Sequence, residues 1–215
     1  MFVRYEALVE DVVQPPGPDV VMTWTLAPPS ERSKLLLATR AAESLGAPAG
    51  DLTLARHCPR CGSDEHGRPH FAGRRDLAVS LASARGVTAA AVTRGAPVGV
   101  DIEHVDEDRF AGIGRVLLHP DERAVGAAEL ARTWVRKESL LKALGTGLGT
   151  DPRAVHLSPA TEPPALLAPL PAGADSGVWI LDVALVPRLI GSVAVLSSQR
   201  PELRTTEVAP EGAAP

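Results

Sequence analysis

The stretch APVGVDIEHVDEDR, residues 96–109, combines a short apolar run with two acids spaced two residues apart. Alternate side chains of a strand point to opposite faces, so the run has one apolar face, made by Val98, Val100 and Ile102. Gly99 lies on the other face together with Asp101 and Glu103, and leaves open space there. The two acids lie roughly 6.5–7 Å apart along the strand. Like charges this close repel unless a positive group lies between them. Two explanations of the acidic pair are open. The acids hold Mg²⁺ beside a phosphate, or the strand ends in a solvated acidic loop, and the stretch alone favours the loop.

Length and composition indicate a folded protein without general affinity for nucleic acid. The chain has 215 residues, of which 45% are apolar and 22% charged, and this allows one large domain or two small ones. Its net charge of −4 argues against a nucleic-acid partner. Seven arginines against three acids between positions 56 and 94 nevertheless form a local positive excess. That excess suits a phosphate-rich small molecule or an ordinary solvated surface.

The sequence contains no signal for a membrane or an oxidising compartment. No apolar run approaches the roughly 20 residues that span a bilayer, and the acids of MFVRYEALVED at the N-terminus are atypical of a signal peptide. Cys58 and Cys61 are the only cysteines, so no disulfide framework is expected. We therefore expect a cytoplasmic protein with no membrane partner.

Periodicity predicts an α+β fold built from two similar halves. A strand at 20–26 precedes a helix at 31–45 capped by Ser30, and a hairpin follows within 77–94. The order then recurs as a strand at 98–103, a helical turn at Pro120, a helix at 127–144 closed by Gly145, and a hairpin within 177–196. This weak repeat predicts halves at 1–97 and 98–196 related by a pseudo-twofold axis, with the active site at their interface. Residues 197–215 are predicted to be a disordered tail.

The helix at 127–144 carries charges on its apolar face. At 100° per residue, the apolar stripe consists of Leu130, Trp134, Leu141 and Leu144. Lys137 falls inside the stripe, while Glu138 and Lys142 lie near its edge, and a buried charge is costly without a partner. Considered without the rest of the sequence, the helix is explained if Lys137 extends to solvent and Glu138 and Lys142 form a surface ion pair. Together with Asp101 and Glu103, these charges instead predict a metal–phosphate site between the halves.

Two motifs carry a resemblance to a known family. VGVDIE at 98–103 is followed by WVRKESLLKALGTGL at 134–148, and this pairing resembles the 4′-phosphopantetheinyl transferase superfamily. The likeness is to the larger, pseudo-dimeric type that activates polyketide and nonribosomal peptide synthetases (the surfactin-synthetase-activating type). CPRCG followed by HGRP, within 58–69, looks like actinobacterial members. The matching positions are Gly99, Asp101, Glu103, Trp134, Lys137, Glu138, Ser139, Lys142, Gly145, Gly147 and Leu148.

The resemblance implies an activity of the holo-[acyl-carrier-protein] synthase type. Such enzymes move the 4′-phosphopantetheine arm of coenzyme A, their substrate, onto a serine of an acyl or peptidyl carrier protein. The resemblance assigns Mg²⁺ to Asp101, Glu103 and Glu138, and phosphate contacts to Lys142 and Lys137. The general base is either Glu138 or Glu122, and the protein is expected to be a monomer.

Further residues are implied on the nucleotide side. Arg68 matches a family residue expected near the adenosine 3′-phosphate. A Ser-His-Ser element usual in the family is replaced here by Ser83 between two alanines, and Arg85 is a candidate to compensate for the missing histidine charge. Arg32, Lys34 and Arg40 lie where the family often has basic residues for coenzyme A.

Three alternatives stay open. Cys58, Cys61, His66 and His70 form either a zinc knuckle, as in an interaction domain, or a reduced loop. The missing family histidine also allows a catalytically degenerate module that binds coenzyme A or a carrier protein. The segment 110–120, where Phe110, Ile113, Val116 and Leu117 surround Arg115, either docks an acidic carrier or packs inside.

Overall fold

Two β-sheets packed face to face, each covered outside by one long helix, form the body of the protein. The structure is a computed structural model that describes residues 16–48, 50, 52–58, 60–169 and 177–210. The strands are β1 Asp19–Thr25, β2 Leu54–His57, β3 Arg68–Phe71, β4 Leu77–Ala84, β5 Val87–Arg94, β6 Val98–His104, β7 Val178–Ala184, β8 Leu189–Leu196 and β9 Glu202–Glu207. The α-helices are α1 Glu31–Ser44, α2 Glu107–Phe110, α3 Gly114–Leu117 and α4 Gly126–Leu144.

The first half is a strand, a helix and a hairpin. The hairpin β4–β5 pairs with β1 through β5, so its second strand is central. Ser30 begins α1, because its side chain accepts the Ser33 N–H while the Ser33 side chain accepts the Ser30 N–H. The predicted strand, capped helix and hairpin are therefore confirmed.

The second half repeats the topology of the first. β6 and β7 flank the central strand β8, as β1 and β4 flank β5. The helix α4 follows β6, as α1 follows β1, and Gly145 ends α4 with a left-handed φ of 76°. The predicted α+β class is confirmed, and the identical strand order accounts for the repeat read in the sequence.

Alternate side chains of each strand point either into the core between the two sheets or towards the covering helix. Val98, Val100 and Ile102 of β6 pack with residues of β1, β5 and β8 in the core between the two sheets. Small alanines of β4 and β5 line the same core and let the sheets approach closely. The opposite face of β6 is therefore turned to α4, and the acids of the opening stretch lie on that face.

Two expectations need correction, and one hairpin lies outside the predicted elements. Residues 202–207, predicted as part of a disordered tail, form β9 and pair in parallel with β1, so they complete the first sheet. The hairpin β2–β3 lies in the connection between α1 and β4, where no element was predicted. The predicted helical turn at Pro120 is a non-helical turn. The N-terminal residues 1–15 and residues 211–215 lie outside the described part of the chain.

Candidate active site

Gly99 determines how closely α4 lies against β6. A Cβ atom added at Gly99 would lie 1.9 Å from the Ser139 carbonyl oxygen and 2.5 Å from the Ala143 nitrogen. The space beside the two acids is thus occupied by helix backbone, which corrects the expectation that this face is open. Because α4 lies so close, its side chains Glu138 and Lys142 reach the acids of β6.

Three carboxylates meet where β6 and α4 touch. Asp101, Glu103 and Glu138 are 7%, 6% and 7% exposed. Asp101 Oδ2 and Glu138 Oε1 are buried and accept no hydrogen bond. Such unpaired oxygens are costly in a protein interior, so the site is incomplete without a positive or donating group.

The ionisation of these carboxyls reflects their burial. Desolvation raises the pKa of Asp101, against the opposing charge of Lys142. Desolvation and the nearby Asp101 charge raise the pKa of Glu103 to about 7 and also raise that of Glu138. The charge of Asp101 therefore acts on both glutamates.

Two cations partly neutralise the cluster. Lys142 Nζ lies 2.7 Å from Asp101 Oδ1 and donates to the Val100 carbonyl oxygen at 3.0 Å. Arg109, from α2, forms an ion pair with Glu103. An ammonium group has three donors, so Lys142 keeps one for a ligand.

The residues present fit a hard divalent cation. Carboxylate oxygens are the ligands Mg²⁺ prefers, and two of them here lack partners. Among the described residues, the sets whose ligand atoms lie within 4.8 Å of one another are Cys58–Cys61–His66 and His119–Asp121–His156. The acids are more widely spaced, and Mg²⁺ characteristically retains several waters, through which a more distant carboxylate can be held.

A cavity of about 690 Å³ opens beside Asp101 and Lys142. Both halves contribute to its wall: β4 and the β2–β3 hairpin from the first, and β6 with the segment after α4 from the second. Its basic lining residues are Lys34, Arg56, Arg60, Arg68 and Lys142. A cleft with this concentration of positive charge suits a ligand that carries several phosphates.

Arg68 links the two halves at this cavity. Its Nη2 donates to the Ala143 carbonyl oxygen at 3.3 Å, at the C-terminal end of α4. A Cβ at Gly145 would lie 2.9 Å from Arg68 Nη1, so the glycine leaves room for the guanidinium. Burial lowers the pKa of Arg68, although a guanidinium stays charged.

Lys137 and Glu122 lie apart from the cavity, which corrects two predictions. Lys137 Nζ donates to Glu122 Oε2 at 2.6 Å and to the carbonyl oxygens of Leu117 and Pro152. Glu122 Oε1 accepts the Leu157 N–H at 2.7 Å. With all three ammonium donors used and both carboxylate oxygens bound, Lys137 is not available to a phosphate, nor Glu122 to a serine proton. The pair joins three connecting segments beneath α4.

The other predicted nucleotide-binding residues divide into two groups. Ser83 and Arg68 line the main cavity, and their binding of the nucleotide stays a prediction. Arg85 lines a second cavity beside Glu103 instead, while Arg32 and Arg40 are exposed on α1 and line neither. Arg56 and Arg60 also line the main cavity, but the sequence analysis did not name them as candidates. The excess of arginines between positions 56 and 94 was the feature that could have identified them.

Two apolar side chains anchor the segment 110–120. Phe110 and Leu117 are fully buried, and Phe110 packs with the α4 residues Ala127 and Ala131. Within this segment only Val116, at 60% exposure, presents a large apolar side chain to solvent. Of the two alternatives, inside packing thus holds for Phe110 and Leu117.

Comparison with known proteins agrees with the geometry. Residues 97–182 match the family model described as the 4′-phosphopantetheinyl transferase superfamily. The matched segment contains β6, α4 and all three carboxylates. A comparison with curated proteins found no match. Residues 97–182 are therefore similar to phosphopantetheinyl transferases over this segment. Among the described residues, no helix is both long and apolar enough to cross a membrane.

Proposed function

We propose that the protein transfers the 4′-phosphopantetheine arm of coenzyme A to a serine of an acyl or peptidyl carrier protein. The observation that carries the proposal is the set of three buried carboxylates, two with an unpartnered oxygen, of which Asp101 lines a basic cavity. Buried acids without partners are costly, and a metal–pyrophosphate ligand would satisfy them.

The reaction is a phosphoryl-type transfer. The serine Oγ attacks the phosphorus that bears the pantetheine arm and forms a new P–O bond, while the bond to the bridging pyrophosphate oxygen breaks. Adenosine 3′,5′-bisphosphate leaves with that oxygen, and the serine proton passes to a base. Such reactions depend mainly on positioning and on stabilising charge at the phosphate oxygens.

Each residue of the site has a role in this scheme. Asp101, Glu103 and Glu138 would hold Mg²⁺, which when bound neutralises charge on the pyrophosphate. Lys142 donates to the same phosphates with its remaining N–H. Glu138 accepts the serine proton in this scheme, since both carboxylate oxygens of Glu122 are bound elsewhere.

The cavity supports an orientation for coenzyme A. Arg68 and Arg60 lie on its first-half side, and Lys142 lies with the acids on the other. The adenosine 3′-phosphate therefore binds the arginines, and the pyrophosphate extends to the acids. Ser83 adds a hydroxyl on the nucleotide side, and the neighbouring arginines supply the charge that the family histidine would have brought.

The carrier protein approaches from the side of Glu103. The second cavity there is lined by three arginines and three acids, so it offers charges of both signs to a polar partner surface: Arg85, Arg109, Arg188, Glu103, Asp106 and Glu107. Its position beside the carboxylates allows a carrier serine to reach the pyrophosphate. Polyketide and nonribosomal peptide carriers are the proposed substrates.

The repeated topology supports the larger type of this superfamily. Both walls of the main cavity come from one chain, because each half supplies a strand–helix–hairpin unit. One chain then holds a complete site, and we propose that the protein acts as a monomer.

Intact-mass spectrometry of a carrier protein tests the function. A purified apo carrier is incubated with the protein, coenzyme A and Mg²⁺, and the control contains a chelator. The expected result is a gain of one phosphopantetheine arm that the chelator abolishes. Glu138→Gln should give no gain, whereas Arg40→Ala, on the exposed face of α1, should behave as wild type.

The same experiment addresses the degenerate-binder alternative. Several acyl and peptidyl carriers are tried with folded protein, and coenzyme A binding is measured separately by calorimetry. Binding without any mass gain would refute the transfer activity and leave a coenzyme A-binding module.

A further inference from the structure

A thiol–imidazole cluster lies on the connection between β2 and β3, outside the acidic cluster. The ligand atoms of Cys58, Cys61 and His66 all lie within 4.8 Å of one another. Cys61 Sγ and His66 Nε2 are 3.4 Å apart. Three soft or borderline ligands therefore converge without any role in the proposed transfer.

The backbone around Cys58 forms a tight turn. The Cys58 carbonyl oxygen accepts the Gly62 N–H at 2.8 Å, and Gly62 has a left-handed φ of 74°. The Cys58 N–H donates to the Ser63 carbonyl oxygen at 2.9 Å. Two backbone hydrogen bonds thus close the turn at Cys58, and the left-handed conformation at position 62 favours glycine.

The ligand types identify the metal. Thiolates and imidazole are the usual ligands of Zn²⁺, whereas Mg²⁺ prefers oxygen. The two thiols are free in the structure, and joining them as a disulfide would need an oxidant. A cation bound by all three residues would explain why the two thiols lie so close to the His66 imidazole.

We propose that Cys58, Cys61 and His66 bind one Zn²⁺, with the fourth position open to water. Cys61 and His66 are exposed, so solvent reaches that position. The site is separate from the carboxylates and does not depend on the proposed transfer reaction.

Zinc at this position would fix one wall of the main cavity. Cys58 and Arg60 line the cavity, and a Cβ at Gly149 would lie 3.4 Å from Arg60 Nη1, so Arg60 crosses from the hairpin to the second half. Two thiolates, one neutral imidazole and Zn²⁺ sum to zero charge. Zinc binding would therefore position Arg60 without weakening the attraction between the arginines and phosphate. This consequence rests on the proposed function; the zinc site itself does not.

Metal analysis of the full chain tests the site directly. Protein expressed with added zinc is purified under reducing conditions, dialysed and analysed by mass spectrometry of its metals. We expect about one zinc per chain in the wild type, and loss of most of it in Cys58→Ser and Cys61→Ser. His66→Ala should weaken zinc binding roughly 10-fold or more, by analogy with the effect of losing zinc-site residues.

His57→Ala is the matched control. His57 lies in the same hairpin, but its Nδ1 faces Asp64 Oδ1 at 3.2 Å and it is outside the cluster. This variant should keep wild-type zinc content. Equal loss of zinc in His57→Ala and Cys61→Ser would overturn the three-residue assignment.

Cobalt substitution keeps the test independent of folding defects in the variants. Wild-type protein stripped of metal and loaded with Co²⁺ should show thiolate-to-cobalt charge-transfer absorption and tetrahedral visible bands. Wild-type protein that contains no zinc and shows no such bands would refute the site. A negative zinc result together with active phosphopantetheine transfer would leave the proposed function intact.

Discussion

Glu103 is a residue whose ionisation couples stability to pH. Its folded-state pKa is about 7 because of desolvation and the nearby Asp101 charge, against an ordinary value of 4.5. Between these values the folded state binds more protons than the unfolded state, so its stability decreases as pH rises. We expect the free energy of unfolding in chelator to fall between about pH 4.5 and 7, by on the order of 1–2 kcal/mol for Glu103 after solvent screening.

Urea unfolding at several pH values measures this effect. Glu103→Gln should reduce the slope, and Mg²⁺ should raise wild-type stability at neutral pH because it binds the ionised acids. An unchanged slope in Glu103→Gln would contradict the assigned pKa shift.

Lys137 contributes to stability, although the family motif suggested a phosphate contact. Burial lowers its pKa, and Glu122 opposes that shift. Lys137→Met would leave Glu122 buried without its partner, at a cost of about 3–5 kcal/mol. Adding Glu122→Gln should recover part of the loss in urea unfolding. Lys34→Met removes the ion pair between Lys34 and the exposed Glu31. This variant should lower the free energy of unfolding by no more than about 1 kcal/mol. Equal stability of the two single variants would refute the structural role.

At the scale of elements, the contact between β6 and α4 depends on Gly99. An alanine Cβ would meet Ser139 backbone, which cannot rotate away. Gly99→Ala should destabilise the protein by about 2–3 kcal/mol and reduce transfer, because α4 carries Glu138. Gly50→Ala, where nothing lies within 4 Å of the added atom, should change stability little. Thermal unfolding of both variants makes the comparison, and a neutral Gly99→Ala would contradict the close packing.

Most elements were predictable because local chemistry determined them. Ser30 and Gly145 mark helix ends through capping and a left-handed residue, and alternation identified β6. The strand β9 was not predictable: its residues are mostly exposed and polar, and its position depends on pairing with the distant β1. Such pairing leaves no local pattern.

For the whole molecule, the cavity between the halves should bind a multiply phosphorylated ligand. Arg68→Ala should weaken adenosine 3′,5′-bisphosphate binding about 10-fold or more, since hydrogen bonds to charged groups contribute roughly 1.5–3 kcal/mol. Arg40→Ala should leave affinity within about 2-fold, because Arg40 pairs with Glu43 outside the cavity. Calorimetry at two salt concentrations measures both, and affinity should fall with salt. Equal affinities of the two variants would contradict the placement of the nucleotide.

The position of the acids was predictable, whereas their metal role stays a prediction. The family resemblance implied that role for Asp101, Glu103 and Glu138, and the three acids lie buried on β6 and α4. Lys137 was misassigned because a sequence cannot distinguish a lysine that faces a ligand from one that binds buried carbonyl oxygens. Arg56 and Arg60 were missed because the β2–β3 hairpin that presents them has short, weakly patterned strands.

Metal binding by the three carboxylates is the central claim, and titration with Mn²⁺ followed by electron paramagnetic resonance tests it most directly. Mn²⁺ shares the oxygen preference of Mg²⁺ and is observable. The account predicts a site of about one Mn²⁺ per wild-type chain, strengthened by coenzyme A and lost in a folded Asp101→Asn, Glu138→Gln variant. Equal Mn²⁺ binding by that variant and the wild type would contradict it.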